Sequence, residues 1–160
     1  MSTPSVSFYP LEQGSLDDAL LFACRLTEKA LQLGHRVHLL TRSDSQAQRL
    51  DELLWQFRAD SFIPHHCLTG DAEESTADQR VTLGTAEQLP AERDILINLD
   101  DKIWTHHQQF NDIREIVAAD DSERNLGRQR YRHYQEQGYA LETKRFSSNT
   151  SNASGTSNRT

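Results

Sequence analysis

The stretch DILINLD, residues 94–100, sets Ile95, Leu96, Ile97 and Leu99 almost side by side. Successive side chains of a strand point to opposite faces, so this strand is apolar on both sides and has to be covered on both. A sheet clothed on two faces is the habit of parallel strands joined by crossover helices. The flanking sequence supplies further short strands: VSFYPL (6–11), RVHLLT (36–41), RVTLGT (80–85) and REIVAAD (114–120). DSFIPHHCL (60–68) reads as a short strand entering a loop, and ALETKRF (140–146) alternates like an edge strand.

Helical patterns fall between these runs. In SLDDALLFACRLTEKALQLGH, Ser15 is placed to cap a long helix whose buried face carries Leu16, Ala19, Leu20, Ala23, Thr27, Ala30 and Leu31. Gly34 is its stop signal. Asp44 or Ser45 opens a second helix with Leu50, Leu53, Leu54 and Phe57 inward, and Asp121 or Ser122 opens a last one, RNLGRQRYRHYQEQGY (124–139). DKIWTHHQQF (101–110) suggests a loop with a helical turn, and the acidic GDAEESTADQ (70–79) an exposed excursion. The expected fold is therefore a single three-layer α/β domain over residues 1–146. It has a mostly parallel sheet with helices on both faces, Rossmann-like in topology but without a nucleotide site. Residues 147–160 are rich in Ser, Asn and Thr, carry no large apolar side chain, and are expected to form a disordered tail.

Charge divides the functional options. The chain carries a net −7, yet from Arg124 onward seven basic residues face only Glu136 and Glu142, leaving −12 on the first 123 residues. Such an acidic body should repel a nucleic-acid backbone, so direct DNA binding is not expected. No stretch reaches the roughly 18 apolar residues of a membrane span, and no secretory signal is evident at the N-terminus. Cys24 and Cys67 suit reduced thiols, which together point to a cytoplasmic protein.

Signatures of catalysis are weak. The DILINLDD strand end (94–101) resembles the acidic strand end of a nucleotide hydrolase, and a nucleotide-binding or hydrolytic α/β enzyme is the alternative reading. That chemistry also requires a glycine-rich phosphate loop, and the sequence has none. Neither HHC (65–67) nor HH (106–107) shows the spacing of metal ligands on a helix. No nucleophile elbow occurs. No catalytic residue, metal or cofactor is expected.

Two binding surfaces stand out. At about 100° per residue, Arg124, Arg128, Tyr131, Arg132 and Gln135 share one stripe of the last helix. Forked guanidinium donors beside a flat aromatic ring suit a short acidic peptide ending in an aromatic residue with a free carboxylate. A merely solvated helix face is the competing account. The second surface is Trp55, Phe62, Ile63 and Pro64, whose large side chains fit either a hydrophobic docking patch or ordinary core packing.

The order FYPL, GHRVHLLT, RLDELLWQFRADSFIPHH, RDILINLD and RQRYRHYQEQGY resembles the chi subunit family of bacterial DNA polymerase III over about residues 6–146. The LDE-x-LW…SF-x-PH segment and the R-x-RY-(K/R)-x-Y-x-x-x-G helix carry the resemblance. It implies a non-catalytic member of the clamp-loader assembly that binds the psi subunit and the acidic C-terminal tail of single-stranded DNA-binding protein. The tail site would fall on Arg124, Arg128, Tyr131 and Arg132, where the last position often holds lysine in the family. The psi surface would fall on Trp55, Phe62 and Pro64, with an iron–sulfur helicase competing for it.

Overall fold

The computed structural model describes residues 4–57, 63–68, 79–90 and 93–145. Its elements run β1 (Ser5–Pro10), α1 (Leu16–Gln32), β2 (Val37–Leu40), α2 (Asp44–Gln56), β3 (His66–Cys67), β4 (Val81–Gly84), β5 (Ile95–Asn98), a 3-10 turn (His107–Gln109), β6 (Asp112–Val117), α3 (Asp121–Glu136) and β7 (Leu141–Thr143). The strands form one sheet in the order β3-β4-β2-β5-β6-β1-β7, with every pairing parallel. The three-layer α/β expectation holds, including helices on both faces. The acidic 70–78 stretch and the 147–160 tail lie outside the described residues.

Alternation in β5 shows how the layers form. Ile95 and Ile97 join α1 and α2 in one buried cluster, with Val37, Leu39, Val81 and Leu83. Leu96 turns to the opposite cluster, where Val6, Phe8, Leu40 and Ile113 meet Trp104, Phe110, Tyr134 and Tyr139. One face is thus roofed by α1 and α2, the other by α3 and the 101–110 segment.

The helix ends follow local chemistry. Ser15 and Asp18 make a reciprocal capping box at α1. α2 and α3 begin at Asp44 and Asp121, with their caps one residue before: Ser43 Oγ accepts from Gln46 N and Asp120 Oδ1 from Glu123 N. α1 and α3 both end on left-handed glycines, Gly34 (φ 88°) and Gly138 (φ 86°). At the second, Tyr139 N donates back to Tyr134 O, and the two rings meet at 5.3 Å. Leu16, expected on the buried face of α1, is instead 40% exposed at the first turn.

The seating of α3 depends on a buried carboxylate. Glu115 of β6 is fully buried; its Oε1 accepts from Arg130 Nε at 2.8 Å and its Oε2 from Tyr134 OH at 2.7 Å. Asn98 Nδ2 donates to both oxygens, and Arg130 donates onward to Asp101 O. Burial, with Glu115 beside it, pushes the Tyr134 hydroxyl far above its ordinary range, so it stays a donor. Gly127 lets the helix sit close: a β-carbon there would lie 2.9 Å from Val117 Cγ1.

On the same face, His38 is fully buried, stacked on Trp104 at 5.5 Å, with Nδ1 bonded to Thr82 Oγ1. Burial, and secondarily the Arg93 charge, lower its pKa to about 3 from 6.5.

Two outcomes follow. Glu115→Leu leaves Arg130 as a buried charge without its partner and is expected to lower stability by about 3–5 kcal/mol in urea unfolding. For His38, the unfolded chain takes up the proton first, so its contribution is complete above pH 6.5 and is lost as pH falls toward 3. By pH 5 the loss attributable to it should reach about 2 kcal/mol. His38→Phe should flatten that part of the unfolding free energy measured against pH.

Candidate protein-docking surfaces

The inner side of α3 is fixed by Gly127, Arg130 and Tyr134, which are its buried residues. The helical period then turns Arg124, Arg128, Tyr131, Arg132 and Gln135 together to the flank beside β1, as the spacing suggests. Tyr131 is half-buried, its ring packed edge-on against Phe8 at 5.2 Å. Arg124 reaches over the end of β1, its Nη2 lying 3.4 Å from the carbonyl oxygens of both Leu11 and Glu12. Arg128 is exposed and donates to Asn125 Oδ1 at 3.1 Å. Arg132 is exposed and makes no hydrogen bond or ion pair among the described residues.

No carboxylate occurs from Arg124 to Gln135, and the nearest acid before it is spoken for. Glu123 is clamped by both terminal nitrogens of Arg42, at 3.0 and 3.1 Å. The result is a shelf with an aromatic floor and three guanidinium groups along it, two making weak or local bonds and one open. Such a shelf can bind carboxylates in pairs while presenting an apolar surface next to them.

The second surface lies on the other face of the sheet and toward the opposite edge, where α2 leads to β3. Trp55 is 50% exposed, its ring 4.9 Å from that of His65. The His65 side chain is almost wholly covered; Nδ1 bonds to Ile63 O at 2.7 Å and Nε2 to Asp51 Oδ1 at 2.8 Å. Pro64 is exposed beside it. Ile63 departs from the expectation of a docking residue: it is 2% exposed and packs in the core with α1 and α2. The alternation of the segment explains this, since Pro64 faces out and its predecessor must face in. Phe62 lies outside the described residues. Sequence reading missed the His65–Asp51 support, although the i, i+4 pair Asp51 and Trp55 on one helix face is the signal for it.

The strand ends where an open α/β sheet would take a nucleotide are filled by protein. The Arg42–Glu123 pair bridges β2 and α3 there, and Arg42 Nη2 also donates to Leu99 O. One first-turn N–H of each adjoining helix is engaged, Gln46 N by Ser43 and Glu123 N by Asp120. Asp100 and Asp101 add negative charge; burial, and then Asp101, push the Asp100 carboxyl above its usual range. A phosphate would meet carboxylates at this place. Nor do the histidines gather into a metal centre. His107 bonds to Trp104 O and Tyr139 OH, and among the described residues no three His, Cys, Asp or Glu side chains are placed to hold an ion.

Residues 3–142 match the family model described as DNA polymerase III chi subunit, HolC. A DNA polymerase III subunit chi from Pseudomonas aeruginosa is 36% identical over 141 residues, covering 88% of this chain and 96% of the relative. Proteins of the same name from Escherichia coli and Haemophilus influenzae are each 30% identical, over 87% of this chain and 96% and 95% of their own lengths. Among solved structures, T4 UvsW superposes with a TM-score of 0.69 at 8% identity over 92% of this chain, which spans only 42% of that one, and shares the fold alone. No described helix is long and apolar enough to cross a membrane. With the family model spanning nearly all of the ordered sheet and helices, the chain belongs to the DNA polymerase III chi subunit family.

Proposed function

We propose that the protein is a non-catalytic adaptor of the replication clamp loader, acting in the cytoplasm. In this reading α3 holds the acidic C-terminal tail of single-stranded DNA-binding protein, and the Trp55–Pro64 surface holds the psi subunit. The observation that carries it is the carboxylate-free stripe of Arg124, Arg128, Tyr131 and Arg132 on a protein whose remaining body is strongly acidic. A solvated surface helix has no need to segregate charge in this way, whereas a site for an acidic peptide does. Bare DNA is a poor ligand, because its long phosphate backbone would also meet the −12 body.

Trp55 supports the second contact. An indole half in solvent, propped by a covered histidine and flanked by proline, has the rigidity of an interface anchor. Its place on the far side of the sheet from α3 lets both partners bind at once. An iron–sulfur helicase using the same patch would exclude psi.

Titration with a short aspartate-rich peptide ending in a phenylalanine carboxylate tests the tail site. Micromolar affinity is expected, about −8 kcal/mol, weakening as salt rises. Arg128→Glu should lower it at least roughly tenfold, since the exchanged charge turns attraction into repulsion. Unchanged affinity in that variant would remove the site from α3. Trp55→Ala should weaken capture of psi in a pull-down yet leave peptide affinity unaltered; loss of both together would mean one shared surface.

A further inference from the structure

Strand β7 has a row of main-chain groups that no other described strand takes. Val6 N donates to Ala140 O at 3.1 Å, and Lys144 N donates to Phe8 O at 2.8 Å. In a parallel pair, alternate residues turn both N–H and C=O to the same neighbour. Residues 140, 142 and 144 therefore face β1, while Leu141 and Thr143 turn their main-chain groups outward. Among the described residues, β7 is the last strand in the sheet order and pairs only with β1.

This open edge adjoins the arginine shelf. Thr143 is in register with Phe8, and Phe8 carries the Tyr131 ring. Beyond Thr143, Lys144 and Arg145 are exposed and extend the positive charge along the edge. Glu142 is the only acid on the strand; it lies 3.8 Å from Lys144 and shares its side of the sheet, away from α3. The edge thus lies one strand away from the aromatic floor of the arginine stripe.

We propose that the acidic peptide binds by strand addition, pairing its backbone with the outward groups of Leu141 and Thr143 while alternate side chains reach the α3 arginines. The inference rests on the tail reading and specifies its binding mode. Charge selects the occupant: an aspartate-rich extended segment complements the cations of edge and shelf. A second copy of this chain would set Lys144 and Arg145 against their own duplicates. Strand addition also explains how an exposed site gains affinity, since main-chain bonds add to charge pairs that salt screens.

The test compares three versions of the aspartate-rich peptide against the full chain by calorimetry: unmodified, and backbone N-methylated at alternate residues in either phase. Only one phase faces the edge, so one methylated peptide should lose at least roughly tenfold in affinity and the other bind nearly as the unmodified peptide does. Thr143→Pro removes an outward donor while sparing the ladder to β1, and should reproduce the loss with the thermal midpoint little changed. Should that variant not fold, the methylated pair decides alone. Equal binding of both methylated peptides overturns strand addition and leaves the tail reading standing. No binding of the unmodified peptide overturns the tail reading, and this inference with it.

Discussion

A single buried carboxylate governs the orientation of the last helix. Glu115 accepts four hydrogen bonds, from Arg130, Tyr134 and twice from Asn98, so no part of its charge is left unanswered in the interior. Arg130 and Tyr134 stand four residues apart on α3 and grip one side chain of the sheet from above. An apolar helix face could slide or rotate over Ile113 and Val117 with modest loss. A carboxylate held by two directional donors permits one rotation, and that rotation determines which residues remain outside. Arg124, Arg128 and Arg132 are displayed because Arg130 is withdrawn.

The same division organises charge over the molecule. Two of the arginines near the strand ends, Arg42 and Arg130, are consumed by Glu123 and Glu115, whereas those of the shelf meet only carbonyls, an asparagine side chain or solvent. Pairing the inward cations and leaving the outward ones uncompensated creates a local positive field on an acidic protein. On the proposed reading, such a field would steer an acidic segment toward this flank. The hydrophobic surface at Trp55 is kept apart from it by the full thickness of the sheet.

Much of this was legible in the sequence, and its limits have physical causes. The doubly apolar β5 and the alternation of neighbouring strands gave the layered fold, since covering both faces leaves few architectures. The stripe on α3 was legible because the helical period alone decides which residues share a side. The burial of Arg130 was not. An arginine amid arginines looks solvent-exposed until its partner, fifteen positions away in β6, is known, and pairing across such separation leaves no local pattern. Ile63 failed for a related reason: a run of large apolar residues before a proline is equally suited to core and surface. Only the position of the segment against α1 and α2 sends one residue inward and the next outward. The cap residues, Ser43 and Asp120, fall just before the candidates the sequence offered, because adjacent Asp and Ser residues compete as caps.

The strand ends show why a fold of this topology need not bind a nucleotide. Parallel sheets leave a crevice where successive crossovers pass to opposite faces, with helix N-termini pointing into it. Phosphate binding there depends on open backbone donors and a surplus of positive charge. Here one such donor on each helix is taken by Ser43 or Asp120, and the Arg42 cation is neutralised by Glu123. Asp100 and Asp101 then tip the balance to negative. The groups that close the crevice also tie β2 to the start of α3, the helix that bears the shelf. An ion pair across this crevice works as a brace, holding in place the helix that carries the exposed arginine stripe.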